Sequence, residues 1–220
     1  MIAVINNESR GESMSLLAIW RRTDEPGHDV VQLNQTDLGW LLNGAAVYLS
    51  DAGPARLDYT VQLAEDWTTR SGSVRGFIGS QSVDLTIIRN ETGIRNETGI
   101  RNETGIRSET GWTINGQRQP AVQSMVDLDY SFTPATNLQQ IRRMNLKVGD
   151  KADFPVAWLV AGASSLVVLP QTYHRVSETE YIYEAPTVPY CATLLIPEAG
   201  FAQDYPDGWV FETGNAGRSL

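Results

Sequence analysis

A chain of 220 residues with 17 Lys and Arg against 26 Asp and Glu carries a formal net charge of −9 and has an isoelectric point near 4.7. That balance argues against nucleic acid, whose phosphates call for clustered Lys and Arg, and against an anionic membrane surface. The single cysteine, Cys191, excludes an internal disulfide, and the length suits one domain with a sizeable core.

The opening MIAVINNESRGESMSLLAIW lacks a basic n-region and a continuous apolar h-region, so it does not read as a secretory signal. No stretch approaches the ~18 apolar residues of a membrane span. The expectation is a soluble, cytoplasmic protein without integral membrane contact. Residues 1–15 read as a flexible extension, 16–214 as a single β-barrel-like domain and 215–220 as a tail.

From Leu16 the run LLAIW leads through Arg21 and Arg22 into a loop containing Pro26 and Gly27. VVQLNQ (30–35), GWLLNGAAVYLS (39–50) and ARLDYTVQLAEDW (55–67) repeat the same grammar of short β-prone segments between turn residues. Leu57, Tyr59, Val61 and Leu63 alternate with Asp58, Thr60 and Gln62, the two-residue period of a half-buried strand. Between 88 and 111, IRNETG occurs three times and IRSETG once. Each unit offers a single apolar residue, too little for a stacked solenoid core. Removing three copies leaves VDLTIIR-NETG-WTINGQ, a β-hairpin with a Gly-closed turn, so the repeat reads as an expanded loop at a hairpin tip, without chemistry of its own.

The most strongly patterned polar stretch is MVDLDYSFTPATNLQQIRRMNLKV, residues 125–148. Val126, Leu128 and Tyr130 alternate with Asp127, Asp129 and Ser131, predicting a half-buried strand with both carboxylates on one face. Pro134 ends it, and the chain turns through 134–137. Beyond the turn, Leu138, Ile141 and Met144 are spaced for a helix, while two interleaved sets from 141 to 148 suit a strand. The strand is preferred, which puts Arg142 and Arg143 on opposite faces. After Lys151 short strand-like segments resume: DFPVAWLV, SSLVVLPQTYHRV, EYIYEA and YCATLLI. The sum is an all-β, mainly antiparallel barrel or sandwich of about ten to twelve strands with little helix.

No metal or cofactor is expected. His28 and His174 are far apart without ligand-like neighbours, and nucleophile-elbow, P-loop and dinucleotide fingerprints are missing. Asp127 and Asp129, about 6.5–7 Å apart along a strand, lie at a spacing that carboxyl pairs of glycosidases use. They would equally suit a salt bridge to Arg142 or Arg143. Those arginines could instead read a carboxylate, a phosphate or sugar hydroxyls. Most aromatics belong in the core, with a minority left to line a cavity. Cys191, inside an apolar run, reads as a buried inert thiol.

The order Trp20-Arg21, LDYTVQLAEDWTTR (57–70), GWTING (111–116), Asp127-Leu128-Asp129, TPATN (133–137), IRRM (141–144), QTY (171–173) and DYP (204–206) resembles the bacterial putative glycolipid-binding family, first catalogued as a domain of unknown function. The resemblance spans roughly 16–212. Two departures stand out: the IRNETG expansion where the family has a short turn, and Gln139-Gln140 where a Leu-Pro-like pair is expected. The resemblance implies an incompletely closed β-barrel like that of lipoprotein-localisation factors, and a role in binding glycolipids. The candidate ligand-binding set is Trp20, Arg21, Asp127, Asp129, Asn137, Arg142, Arg143, Trp158, Gln171 and Tyr173. The expected function is a non-catalytic carrier of an amphipathic small molecule. The alternatives are a hydrolase acting on a glycoside or ester through Asp127 and Asp129, and a protein-interaction module using its sheet edges. The sequence does not encode a readable oligomeric state. Limited proteolysis should cut first within 88–111; cleavage elsewhere with this segment intact would contradict the loop reading.

Overall fold

The computed structural model describes residues 15–90, 111–198 and 200–214. The proposed N-terminal extension up to residue 14, the repeat tip at 91–110 and the tail from 215 lie outside the described residues. Ser15 already belongs to the first strand.

Six long strands lead the chain: β1 (Ser15–Arg22), β2 (Gly27–Thr36), β3 (Gly39–Ser50), β4 (Gly53–Leu63), β5 (Thr69–Ile78) and β6 (Gln81–Asn90). Short pieces follow: β7 (Gly111–Ile114), β8 (Gln117–Arg118), β9 (Leu128–Tyr130), one helix α1 (Asn137–Met144), β10 (Lys151–Asp153), β11 (Val156–Leu159), β12 (Val167–Leu169) and β13 (Thr172–Arg175). The chain closes with β14 (Glu180–Ala185), β15 (Tyr190–Leu195), β16 (Asp204–Tyr205) and β17 (Trp209–Gly214). Fourteen of these strands form one antiparallel sheet in the order β10-β13-β14-β15-β16-β17-β1-β2-β3-β4-β5-β6-β7-β8. It does not close, since β10 and β8 are its edges. A second sheet, β12-β11-β9, contains the parallel pair β9/β11. The fold is thus all-β, mainly antiparallel and an incompletely closed barrel. Among the described residues the strands number seventeen rather than ten to twelve because eight are four residues or shorter.

The inner face of the large sheet follows the predicted period. In β4, Leu57, Tyr59, Val61 and Leu63 are all buried. The expected hairpin frame is formed by β6 and β7, with Ile87 opposite Ile114 and Asn90 opposite Gly111. Trp20 is fully buried, donating its indole N–H to the Ala202 carbonyl at 2.7 Å and packing edge-on against Phe201 at 5.5 Å. Two glycines admit bulky neighbours: a Cβ on Gly44 would collide with the Tyr59 ring, and one on Gly72 with the Tyr130 hydroxyl and Leu128.

The segment from β9 through α1 fills the concavity of the open sheet. Leu128, Tyr130, Phe132, Ala135 and Leu138 join the core made by β1 to β7. Ile141 instead joins a second core with Tyr173, Tyr181, Tyr183 and Leu194. Successive residues of β11 divide likewise, Val156 to the second core and Ala157 to the first. The plug therefore welds the two halves together.

Three expectations are corrected here. Residues 137–144 are helical, not extended. Leu138 and Ile141 bury one side of the helix, the interior residues are mostly good helix formers, and Asn145 ends it in the left-handed region at φ 46° with its N–H on the Ile141 carbonyl. Arg142 and Arg143 thus diverge by about 100° rather than pointing oppositely. The strand at 128–130 is buried on both faces, not half-buried, because it lies inside the plug. Cys191 is exposed, since Tyr190, Ala192 and Leu194 take the inner face of β15 and leave Cys191 and Thr193 outside.

The plug is pinned to the barrel by a buried acid. Asp29, on the inner face of β2, is completely buried, with the Tyr59 hydroxyl at 2.9 and 3.0 Å from its two oxygens and the Thr133 hydroxyl at 2.5 Å. Desolvation outweighs these bonds and pushes its carboxyl up to about 8. An unfolded Asp ionises near pH ~3.9, so between there and about 8 the native state holds a proton that the unfolded state has lost. The stability this group lends is complete at low pH and is lost as pH rises through that window, at about 1.4 kcal/mol per pH unit. Asp29→Asn should therefore flatten the decline in unfolding free energy between pH 6 and 8, read by urea denaturation; an unchanged slope would rule out this assignment.

Candidate functional site

Around α1 the buried side chains form a polar network instead of an apolar seam. Asp127, 1 % exposed, receives a bidentate contact from Arg143, Nε to Oδ1 at 3.2 Å and Nη2 to Oδ2 at 2.7 Å. The same guanidinium lies 4.6 Å above the Phe154 ring. Burial pushes the Asp127 carboxyl upward, and the Arg143 bond opposes it. Asp129 has only neutral donors: the Thr136 hydroxyl at 2.5 Å on Oδ1 and the Gln171 amide at 3.0 Å on Oδ2. Desolvation accordingly raises it to about 6. The Asn137 amide donates to the Tyr173 hydroxyl at 2.6 Å, which donates in turn to Gln140 Oε1 at 3.0 Å. Gln139 donates to the Leu128 carbonyl and, at 3.3 Å, to Thr69 Oγ1.

Asp129 opens onto a cleft of about 110 Å³. Its polar floor is Asp129, Ser131, Thr133 and Asn137, from β9, the turn and the first residue of α1. Its walls are aromatic: Trp158 of β11, Tyr183 of β14, Tyr190 of β15, Tyr205 of β16 and Trp209 of β17. Tyr190 and Tyr205 stack at 5.2 Å and 19°, Tyr183 tilts against both, and the Tyr190 hydroxyl is anchored on the Pro206 carbonyl at 2.5 Å. A separate, shallower groove of about 400 Å³ is lined by Tyr205 and Trp209 together with Leu195, Pro206, Val210, Glu180 and Thr193.

Of the sequence candidates, Asp129, Asn137 and Trp158 meet in this cleft. Gln171 and Tyr173 stand behind it, holding Asp129 and Asn137. Asp127 and Arg143 form the neighbouring ion pair. The remaining candidates lie elsewhere. Trp20 is core, and Arg21 is exposed and bridges Glu212 at 3.1 Å. Arg142 lies 5.7 Å over the Trp67 ring, in a separate depression of about 280 Å³ with Arg175, Glu178 and Glu198. Sequence reasoning missed the walls at Tyr190 and Tyr205, for which the only signal was the DYP motif. It also missed Gln139 and Gln140, both fully buried, which no periodicity marks because Asn137 through Ile141 are buried at consecutive helical positions.

An incompletely closed, all-β barrel with a plugging helix and an aromatic cleft defines the class. Within it, the chain belongs to the family described as "Putative glycolipid-binding", whose model matches residues 17–210. The fold is similar to that of a DUF1089 family protein from Pseudomonas aeruginosa, with a TM-score of 0.63 and 22% identity over 94% of this chain and 96% of that one. No curated protein matches the chain.

The ion pair beside the cleft sets a stability expectation. Arg143→Met leaves Asp127 buried and uncompensated, a change that costs about 3–5 kcal/mol when both partners are fully buried; Arg143 is 28% exposed, so the lower end is expected. Adding Asp127→Leu should recover most of the loss in chemical denaturation. A double variant no more stable than Arg143→Met would contradict the account.

Proposed function

We propose that the protein is a non-catalytic carrier of an amphipathic small molecule, a glycolipid or related acyl compound. Its head would sit in the cleft over Asp129 and Asn137, and its apolar part along the groove by Leu195, Trp209 and Val210. The observation that carries this reading is that a polar-floored cleft and a more apolar groove share Tyr205 and Trp209 as common lining. The cleft alone, at about 110 Å³, is smaller than the ~300–1,000 Å³ of typical ligand pockets. The groove, at about 400 Å³, falls in that range.

The alternatives draw less support. A glycoside hydrolase needs two carboxylates facing its substrate, but Asp127 is held by Arg143 and only Asp129 of the two lines the cleft. An interaction module would want a long open edge, and the edge strands β8 and β10 have two and three residues. The exposed thiol of Cys191 fits a reducing compartment, in keeping with a cytoplasmic carrier.

Native mass spectrometry of the purified protein, with organic extraction and a panel of short-chain alkyl glycosides, tests the proposal. A co-purifying amphiphile or a one-to-one adduct is expected, and Trp209→Ala should weaken binding by about tenfold, or about 1.4 kcal/mol. An adduct-free protein across the whole panel would overturn it.

A further inference from the structure

The polar groups at the cleft are largely turned toward the protein. The Asn137 amide nitrogen is bonded to Tyr173, the Tyr190 hydroxyl to Pro206 and the Thr133 hydroxyl to Asp29. Ser131 Oγ accepts the Ala161 N–H at 2.9 Å. A neutral sugar ring asks for several converging donors and acceptors, and few remain. What the cleft does present is one carboxylate, Asp129, held by neutral donors, among them the Thr136 hydroxyl and the Gln171 amide, and a wall of electron-rich rings.

Charge in the surroundings sharpens the contrast. Arg143 is matched by Asp127 at 2.7 Å, and Arg22, whose guanidinium lies 5.2 Å from the Trp209 ring, is matched by Asp24 at 2.5 Å. Among the described residues lining the cleft there is no Lys, Arg or His. An anion would meet the carboxylate without a compensating cation. A positively charged nitrogen would meet both an opposite charge and ring faces, the combination by which aromatic cages hold ammonium groups.

From this geometry we infer that the cleft takes a cationic nitrogen, an ammonium or quaternary ammonium group, so that the amphipathic ligand has a positively charged head. The inference rests on the carrier reading for the tail and on the Asp129 cleft for the head. The overall charge of −9 favours the approach of such a head electrostatically. An amine-bearing sugar and a choline-type group share this chemistry.

Asp129 makes the binding pH-dependent. The titratable groups facing it are Asp127, already bound to Arg143, and the Tyr173, Tyr183 and Tyr205 hydroxyls, all shifted upward by burial and therefore neutral. Ionisation of Asp129, about 6 when the cleft is empty, supplies the charge. A bound cation favours the ionised form, so affinity falls as pH drops through that value.

The test is calorimetric titration with octyl compounds of equal tail, each kept below its micellar concentration: octyltrimethylammonium, octyl glucosaminide, octylphosphocholine and octyl glucoside, with choline as the tail-free control. At pH 8 at least one nitrogen-bearing head should bind about tenfold tighter than octyl glucoside. That preference should shrink at pH 5.5, in Asp129→Asn and in Tyr190→Leu; the pH arm uses the unaltered protein and so survives a variant that fails to fold. The amino sugar binding more tightly identifies a glycolipid-type head, and octylphosphocholine more tightly a choline-type head. Equal or tighter binding of octyl glucoside overturns the cation inference and leaves the carrier reading standing. Choline binding as tightly as the octyl compounds supports the cationic cleft and removes the tail from the carrier reading. Binding by none of the probes overturns both.

Discussion

The structure depends on a short turn held at both ends by buried carboxylates. Thr133 and Thr136 flank Pro134 and Ala135. The first hydroxyl is bonded to Asp29 of the large sheet, the second to Asp129 of the small one. Each acid is desolvated and each is bonded only to neutral groups, an arrangement that disfavours the charged form but leaves its oxygens partnered. An open sheet with a concave face cannot stabilise itself on strand pairing alone, because its inner apolar residues need a second layer. The plug supplies that layer, and the two threonines fix how it sits. With Thr136 placed, α1 begins at Asn137, Gln139 reaches the backbone of β9, and Asn137 and Asp129 face the cleft together.

Two neighbouring aspartates acquire different chemistry from this arrangement. Their backbones are two residues apart, yet one side chain meets Arg143 and the other a threonine and a glutamine. The ion pair closes off Asp127. Asp129 keeps an unmatched charge, and the cleft it lines has walls of tyrosine and tryptophan. The expected salt bridge forms at Asp127, while Asp129 lines the cleft, a division between residues that sequence spacing alone treats as equivalent.

What could be read from the chain depended on how many faces of an element are buried. Strands β1 to β6 line a core on one side only, so their two-residue alternation survives in sequence, and β3 spans the 39–50 segment taken from its turn residues. The plug is buried all round: Leu128, Asp129 and Tyr130 are successive buried residues, and Asn137 through Ile141 are buried along consecutive helical positions. Periodicity carries no information there. With helical spacing masked in this way, the interleaved sets from 141 to 148 fit a strand as readily as a helix. Cys191 failed in the opposite way, since an apolar run concealed an alternation that only Tyr190, Ala192 and Leu194 obey. The cleft walls were illegible for a further reason: Trp158, Tyr183, Tyr190, Tyr205 and Trp209 come from five strands, and a core aromatic and a wall aromatic leave the same mark in sequence.

The position of the IRNETG expansion follows from the same division of labour. It interrupts the chain between β6 and β7, whose pairing is complete from Ile87 opposite Ile114 to Asn90 opposite Gly111. Neither strand contributes a residue to the cleft or to the adjoining groove. A longer connection between paired strands costs little, about 0.6 kcal/mol for each doubling of length, and β6 and β7 lie outside the plug and the cleft walls. The length between β6 and β7 can therefore vary while the aromatic cleft stays as β9, α1, β11 and the strands from β14 to β17 position it. The family's match from 17 to 210 spans both parts, but they answer to different constraints: hairpin closure at one, and desolvation of Asp29 and Asp129 at the other.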